Sequence, residues 1–309
     1  MPEPARKTLF IFLDTDKHTT PFDILTAIDL FPDAQFLHYS NVNPEDAKVI
    51  VQDLMFPRGP EGVKSTKLFI SGHDVRKATE ILEVAKKCMF SPFQLAIIVD
   101  PRGAYTTASA AVAKTLAISI EKGFGDLNGK TVTILAGTGP VGQVAARLYA
   151  MEGADVIVNS RKMERSTAVA REINEEIGGE RVRGMKATEP DEVGESISDA
   201  DTILSAGAAG VTLLPLSVLK KYGRRCKIVG DINAIPPLGV EGIEYTHDGV
   251  EILPGVWSVG AVAIGNLKKK VEAQLFRRAA EAPEGIFDYK NAYEIAKPMA
   301  SAKLKKRGM

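Results

Sequence analysis

Gly137, Gly139 and Gly142 stand in G-x-G-x-x-G spacing, directly after the apolar run TVTILA and at the start of an alanine-rich stretch. This is the place where a strand turns into a helix around a dinucleotide. The first glycine permits the tight turn, the second lets backbone approach a pyrophosphate, and the third brings helix and strand together. Thr138, Pro140 and Val141 fill the turn, and the N–H groups of the first helical turn face the phosphates with the helix dipole behind them. About twenty residues further on, a site selective for NAD places Asp or Glu at the end of the next strand, against the ribose hydroxyls. This chain has Asn159, Ser160, Arg161 and Lys162 there. A carboxylate would repel a 2′-phosphate, whereas an arginine fork and a serine hydroxyl bind it through charge-assisted hydrogen bonds. The expected cofactor is therefore NADP, with NAD use also open. Arg161 is the direct phosphate ligand, and Lys162 and Arg165 assist it; the plainer alternative is a set of solvated charges after a strand.

Ser205, Ala206 and Gly207 open the loop SAGAAG after a further strand and are small enough for a dinucleotide to lie against backbone, although an ordinary strand-to-helix turn uses the same residues. Asp231 and Asn233 end another strand before IPPLG, at the kind of strand end where doubly wound sheets bind ligands. They complete the candidate cofactor set.

The elements that must position these residues alternate. TLFIFLD, QFLHYS, STKLFISG and FQLAIIVD read as strands, separated by the helical patterns PFDILTAIDLF, PEDAKVIVQDLM and DVRKATEILEVAKKCM. Such alternation indicates an α/β domain with a mainly parallel sheet. GAYTTASAAVAKTLAISI carries the chain as a helix into a second unit, whose strands are TVTILAG, DVIVNS, DTILSAG and CKIVGDI. The expected fold is α/β: a Rossmann-type doubly wound parallel sheet over 113–274 and an N-terminal α/β domain over 1–112, completed by C-terminal helices from 275–309. The basic tail SAKLKKRGM is expected to be solvated and frayed.

Composition removes several classes. Among 309 residues, 39 Lys and Arg balance 39 Asp and Glu, so no overall field draws nucleic acid or an anionic membrane. Cys88 and Cys226 are the only cysteines and form no framework or ligand spacing, which fits a reducing cytoplasm. The run after MPEPARK meets acids too soon for a signal peptide, and no apolar segment approaches the roughly 18 residues of a membrane span. His18, His38, His73 and His247 show neither H-x3-H nor H-E-x-x-H spacing, so metal catalysis is not expected.

Taken in order, ILAGTGPVG, SRK, LSAGAAG, DINAIPPLGVEGIE and GAVAIGNLKKK, together with DTDKHTTPFD, DPRGAYTTASA and EGIFDYKNAYEIAK, make the chain resemble the methylotroph methylene-tetrahydromethanopterin and methylene-tetrahydrofolate dehydrogenases. The likeness runs nearly end to end. It implies an enzyme that oxidises the methylene bridge of a reduced pterin to methenyl while reducing NADP or NAD, with the pterin cleft between two domains. It also implies a homo-oligomer, such as a trimer or hexamer. SRK looks like the NADP-dependent branch, while LSAGAAG and DINAIPPLGVEGIE look closer to the methanopterin branch, so the folate carrier stays open.

Loss of hydride from the methylene carbon leaves a cation shared by two nitrogens, so no proton need be removed and no general base is expected. Lys268 matches a lysine that the resembling dehydrogenases place in the pterin cleft, where it would orient the bridge; Lys269 and Lys270 are expected on a helix surface. Asp16, Lys17 and Thr20, before Pro21, are candidates for the opposite wall, with capping and turn formation as their plainer role, and His18 and His73, in strand-to-helix loops of the first domain, are candidates to touch substrate, with a structural role as the plainer one. Tyr105 and Thr106 open a helix at the domain crossing, to cap it or to contact substrate or cofactor. Two other readings remain: a shikimate or amino-acid dehydrogenase, which needs a Lys/Asp acid–base pair not found here, and a non-catalytic NADP-binding sensor.

Overall fold

The computed structural model describes residues 6–305, so residues 1–5 and the last part of the basic tail, 306–309, lie outside the described residues. The chain separates into two compact units, one of residues 1–106 with 270–295 and the other of 107–269 with 296–309. The sequence reading divides the chain at 112/113 and 274/275 instead.

The first unit runs β1 (Leu9–Asp14), α1 (Pro21–Leu30), β2 (Gln35–Tyr39), α2 (Pro44–Met55), α3 (Gly59–Val63), β3 (Thr66–Ser71), α4 (Val75–Cys88) and β4 (Ala96–Val99). Strands β1, β3 and β4 are almost wholly buried, as expected of parallel strands covered on both faces, and this is why they read as continuous apolar runs. Helix starts follow local chemistry. Pro21 opens α1, Asn43 and Asp46 form a capping box on α2, and the Asp74 side chain accepts from the N–H groups of Arg76 and Lys77 on α4.

A fifth strand, β12 (Gly285–Phe287), comes from near the other end of the chain and pairs with β4, giving the all-parallel order β12-β4-β3-β1-β2. The rings of Phe10, Phe12 and Phe69 pack against Phe276, the Phe69 and Phe276 planes stacking at 5.3 Å between centroids. Phe276 lies on α10 (Ala261–Glu281). Burying such a ring contributes roughly 2–3 kcal/mol, which holds this late segment on the first sheet.

The second unit begins within α5 (Ala104–Glu121) and continues through β5 (Thr131–Leu135), α6 (Pro140–Met151), β6 (Asp155–Ser160), α7 (Met163–Ile177), β7 (Val182–Lys186), α8 (Pro190–Ile197), β8 (Thr202–Ser205), α9 (Leu216–Tyr222), β9 (Ile228–Asp231), β10 (Asp248–Leu253) and β11 (Val256–Val259). A last helix, α11, spans Tyr289–Lys305. The sheet order is β10-β11-β9-β8-β5-β6-β7, parallel except for the β10–β11 hairpin. Read from β7 to β11 this is the 3-2-1-4-5-6 order of a dinucleotide-binding sheet, with β5 at its centre. A buried ion pair of 2.8 Å between Lys114 on α5 and Asp248 fastens the hairpin edge. No helix among the described residues is long and apolar enough to cross a membrane.

Candidate functional site

In the second unit the glycine turn joins β5 to α6 at the carboxyl end of the central strand. Each glycine meets a different constraint. A β-carbon on Gly137 would lie 2.9 Å from the Ile134 carbonyl, and one on Gly142 would lie 2.6 Å from Gly137 Cα, so both are required by the protein's own packing. At Gly139 an added β-carbon meets only the carbonyls of Ala136 and Ala206, at 3.5 and 3.8 Å. Packing leaves that position open, and the open side is a cradle for something that approaches backbone closely. Ala136 adopts φ +53° just before the turn, a left-handed conformation that costs a non-glycine residue on the order of 1–2 kcal/mol. Its carbonyl accepts the Gly139 N–H at 3.1 Å.

Helix α6 starts at Pro140 with Gly139 as N-cap and no capping side chain. Its first N–H groups, including those of Val141 and Gly142, are left for an anion, as the helix dipole favours. Gln143 Nε2 and Arg165 Nη2 both donate to the Thr138 carbonyl, at 2.9 and 3.4 Å. The Thr138 hydroxyl lies 3.5 Å from Ser160 Oγ, which also accepts the Lys162 N–H at 3.3 Å. The end of β6 and the start of α7 are thereby tied to the glycine turn. Arg161, Lys162 and Arg165 are exposed, and the Arg161 guanidinium makes no hydrogen bond or ion pair among the described residues. Asn159 points inward, its Nδ2 donating to Ser196 Oγ at 2.7 Å. A cradle, an uncapped helix start and an unpaired cation beside a serine hydroxyl fit a phosphorylated dinucleotide.

Two other strand ends behave differently. Asp231 is buried, and its carboxylate accepts the N–H groups of Asn233 and Val240, each at 3.1 Å. Burial pushes this carboxyl upward, opposed by those N–H donors and by the Ser205 hydroxyl, which lies beside it without a hydrogen bond of full geometry. Asn233 Oδ1 accepts the Ile235 N–H at 3.0 Å. Asp231 and Asn233 therefore build the loop that follows β9, and Ser205 is turned beneath it. Ala206 and Gly207 stay beside the glycine turn, Ala206 through its carbonyl. Lys268 is buried at 9% exposure on α10, whereas Lys269 and Lys270 are exposed, so only the first of the three is withdrawn from solvent.

In the first unit the carboxyl ends of β1, β3 and β4 bring together residues far apart in sequence. Asp14 is fully buried and accepts the N–H groups of Asp16 and Thr20, at 2.9 and 3.0 Å. Burial pushes the Asp14 carboxyl up. Asp16 accepts Arg102 Nε at 2.8 Å and the His73 N–H at 3.1 Å, and its Oδ2 lies 2.5 Å from His73 Nδ1. Partial burial would raise the Asp16 carboxyl, but the bonds from His73 and Arg102 prevail and hold it below the usual carboxylate range. Arg102 Nη2 donates to the His18 carbonyl at 2.6 Å and lies 3.6 Å from Asp14 Oδ2. Lys17 and His18 have exposed side chains; Thr20 is buried and, as N-cap of α1, makes no side-chain cap bond. The buried Asp100 carboxylate takes the N–H groups of Tyr105 and Thr106, at 2.8 and 3.2 Å, and the Thr106 hydroxyl at 2.6 Å. The start of α5 is thus capped by Asp100, with the Tyr105 ring edge-on to Tyr289.

Arg102 is absent from the sequence-based candidates, and His73 is not paired with Asp16 there. The available signal was positional: LDTD, SGHD and VDPR each place polar residues just after an apolar parallel strand. Among the described residues, no group of three or more His, Cys, Asp or Glu is placed to hold a metal ion.

A 3-2-1-4-5-6 sheet with this glycine turn, in a chain that also carries a second parallel α/β unit, defines a nucleotide-binding α/β protein of the dehydrogenase type. Residues 21–102 match the family model described as methylene-tetrahydromethanopterin dehydrogenase, N-terminal. The NAD(P)-dependent methylenetetrahydromethanopterin dehydrogenase of Methylorubrum extorquens is 34% identical over 287 residues, covering 92% of this chain and 96% of that protein. The bifunctional protein MdtA of the same organism is 35% identical over 298 residues, covering 96% and 100%. The chain belongs to the NAD(P)-dependent methylene-tetrahydromethanopterin dehydrogenase family. Among solved structures, quinate dehydrogenase from Corynebacterium glutamicum in complex with NAD shares the fold at a TM-score of 0.51 and 14% identity, covering 94% of this chain and 98% of that one.

Proposed function

We propose that this protein catalyses reversible hydride transfer from methylene-tetrahydromethanopterin to NADP, giving methenyl-tetrahydromethanopterin, with NAD as a second acceptor. Membership of the family along almost the whole chain carries this reading, and the glycine cradle with an uncommitted Arg161 supports the phosphorylated cofactor. When bound, NADP supplies the hydride acceptor. The chain's own residues bind and orient. The open side of Gly139 and the N–H groups of α6 receive the pyrophosphate, and Ser160 and Arg161 grip the 2′-phosphate.

The family resemblance implies that Lys268 orients the methylene bridge of the pterin. No side chain acts as general base, because the cation left by hydride departure is stabilised within the pterin itself. The protein works in the cytoplasm as a homo-oligomer; the exposed Phe22, Leu25 and Ile28 on α1 suit a subunit contact. The test is the ratio of kcat/KM for methylene-tetrahydromethanopterin and methylene-tetrahydrofolate with NADP. The reading expects the methanopterin carrier to be preferred; preference for the folate carrier would reassign the substrate, and turnover of neither would remove the activity.

A further inference from the structure

We infer that Arg102 is a positioning residue for pterin binding, and that it acts by fixing Asp16 so that the His73 imidazole presents Nε2 to the pterin. This rests on the function proposed above. The Arg102 guanidinium bonds Asp16 and the His18 carbonyl after β1 and approaches Asp14 at the end of β1, while the Arg102 backbone N–H donates to the hydroxyl oxygen of Ser71 at the end of β3, at 3.2 Å. To do this Arg102 adopts φ +47° and ψ +38°, a left-handed conformation uncommon for a side-chain-bearing residue and concentrated at ligand-holding sites.

The consequence falls on His73. Its backbone N–H and its Nδ1 are both held by the Asp16 carboxylate, which settles the ring orientation, since the nitrogen that is bonded fixes the role of the other. The side chain is nonetheless 77% exposed. An imidazole clamped on one side and open on the other is an oriented hydrogen-bonding group whose Nε2 meets no partner among the described residues. It stands at the carboxyl end of a parallel sheet, where such sheets receive ligands. The ligand chemistry that suits it is a neutral, hydrogen-bonding heterocycle, as the amide and amino edge of a reduced pterin provides.

Two amide replacements separate presentation from bracing, because asparagine reproduces the Nδ1 position and glutamine the Nε2 position. His73→Asn, which keeps the bond to Asp16, should raise KM for the methylene carrier ~10-fold, while His73→Gln, which keeps the Nε2 group but retains only the backbone N–H bond to Asp16, should raise it less, by about 3-fold. Arg102→Lys should raise the same KM ~10-fold or more, since an ammonium cannot reach several acceptors as the guanidinium fork does. KM for NADP and the melting temperature of the histidine variants should not move. If His73→Asn matches wild type and His73→Gln does not, the imidazole only braces the loop and the inference is overturned. It is equally overturned if both match wild type. Absence of turnover by the wild-type protein on either reduced pterin would instead sink the functional reading on which it rests.

Discussion

Gly139→Ala is expected to leave the fold intact and weaken NADP and NAD alike by ~100-fold. The methyl group meets only ordinary contacts at 3.5 and 3.8 Å within the protein, and the residue's φ of −76° suits alanine, so nothing in the apo chain resists it. What resists is the pyrophosphate backbone that the second glycine admits. A loss of that size corresponds to about 2.7 kcal/mol of binding free energy. Gly142→Ala makes the contrast: its β-carbon would meet Gly137 backbone atoms at 2.6 Å, so both folding stability and cofactor binding should fall. Cofactor titration followed by fluorescence, beside a thermal melt, reads both quantities. Normal cofactor affinity in Gly139→Ala would show that no dinucleotide passes over this turn.

Arg161→Ala should raise Kd for NADP ~10–100-fold while changing Kd for NAD less than about 3-fold. A charge-assisted contact to a phosphate is worth about 1.5–3 kcal/mol, and Arg161 has no bond among the described residues that its removal would break. The discount for solvent exposure is small here only because the 2′-phosphate would share the contact with Ser160, which is buried and already fixed by Thr138 and Lys162. Equal losses for the two cofactors would contradict the phosphate role. Arg165 should show a weaker and less selective effect, since its guanidinium is partly engaged with the Thr138 carbonyl.

Much of this is legible in the sequence. The central strands of both sheets read as apolar runs because parallel strands there are buried on both faces, whereas the half-exposed β7 does not, and the glycine turn reads as a cradle because three glycines at fixed spacing each answer a separate steric demand. The family resemblance pointed to the same family that the relatives define. What escaped is instructive in physical terms. Strand β12 has three residues and pairs across nearly 200 positions of sequence with β4, and so short a segment has no periodicity to detect. The β10–β11 hairpin hides because β10 is half-exposed and irregular, with bulges at two places.

The first-unit network escaped for a different reason. Asp16 was named from its loop, but its partners come from two other loops and meet it only once β1 and β3 pair directly and β4 lies beside β3. Arg102 also depends on a left-handed backbone that its sequence neighbours do not announce. Conversely, Asp231 and Asn233 look like ligand residues at a strand end, yet their polar atoms hold the loop after β9. Position at the carboxyl edge of a sheet identifies where to look; the count of bonds already made decides which side chains remain available.

The central claim is direct transfer of hydrogen between the pterin methylene and the nicotinamide, without a protein base. The decisive measurement is a single turnover with carrier deuterated at both methylene hydrogens, in ordinary water with NADP, followed by mass analysis of the nicotinamide product. Direct hydride transfer predicts one deuterium on the reduced nicotinamide ring and none released to water. Deuterium in the solvent, with protium on the ring, would show that a proton is exchanged on the way and would contradict the account.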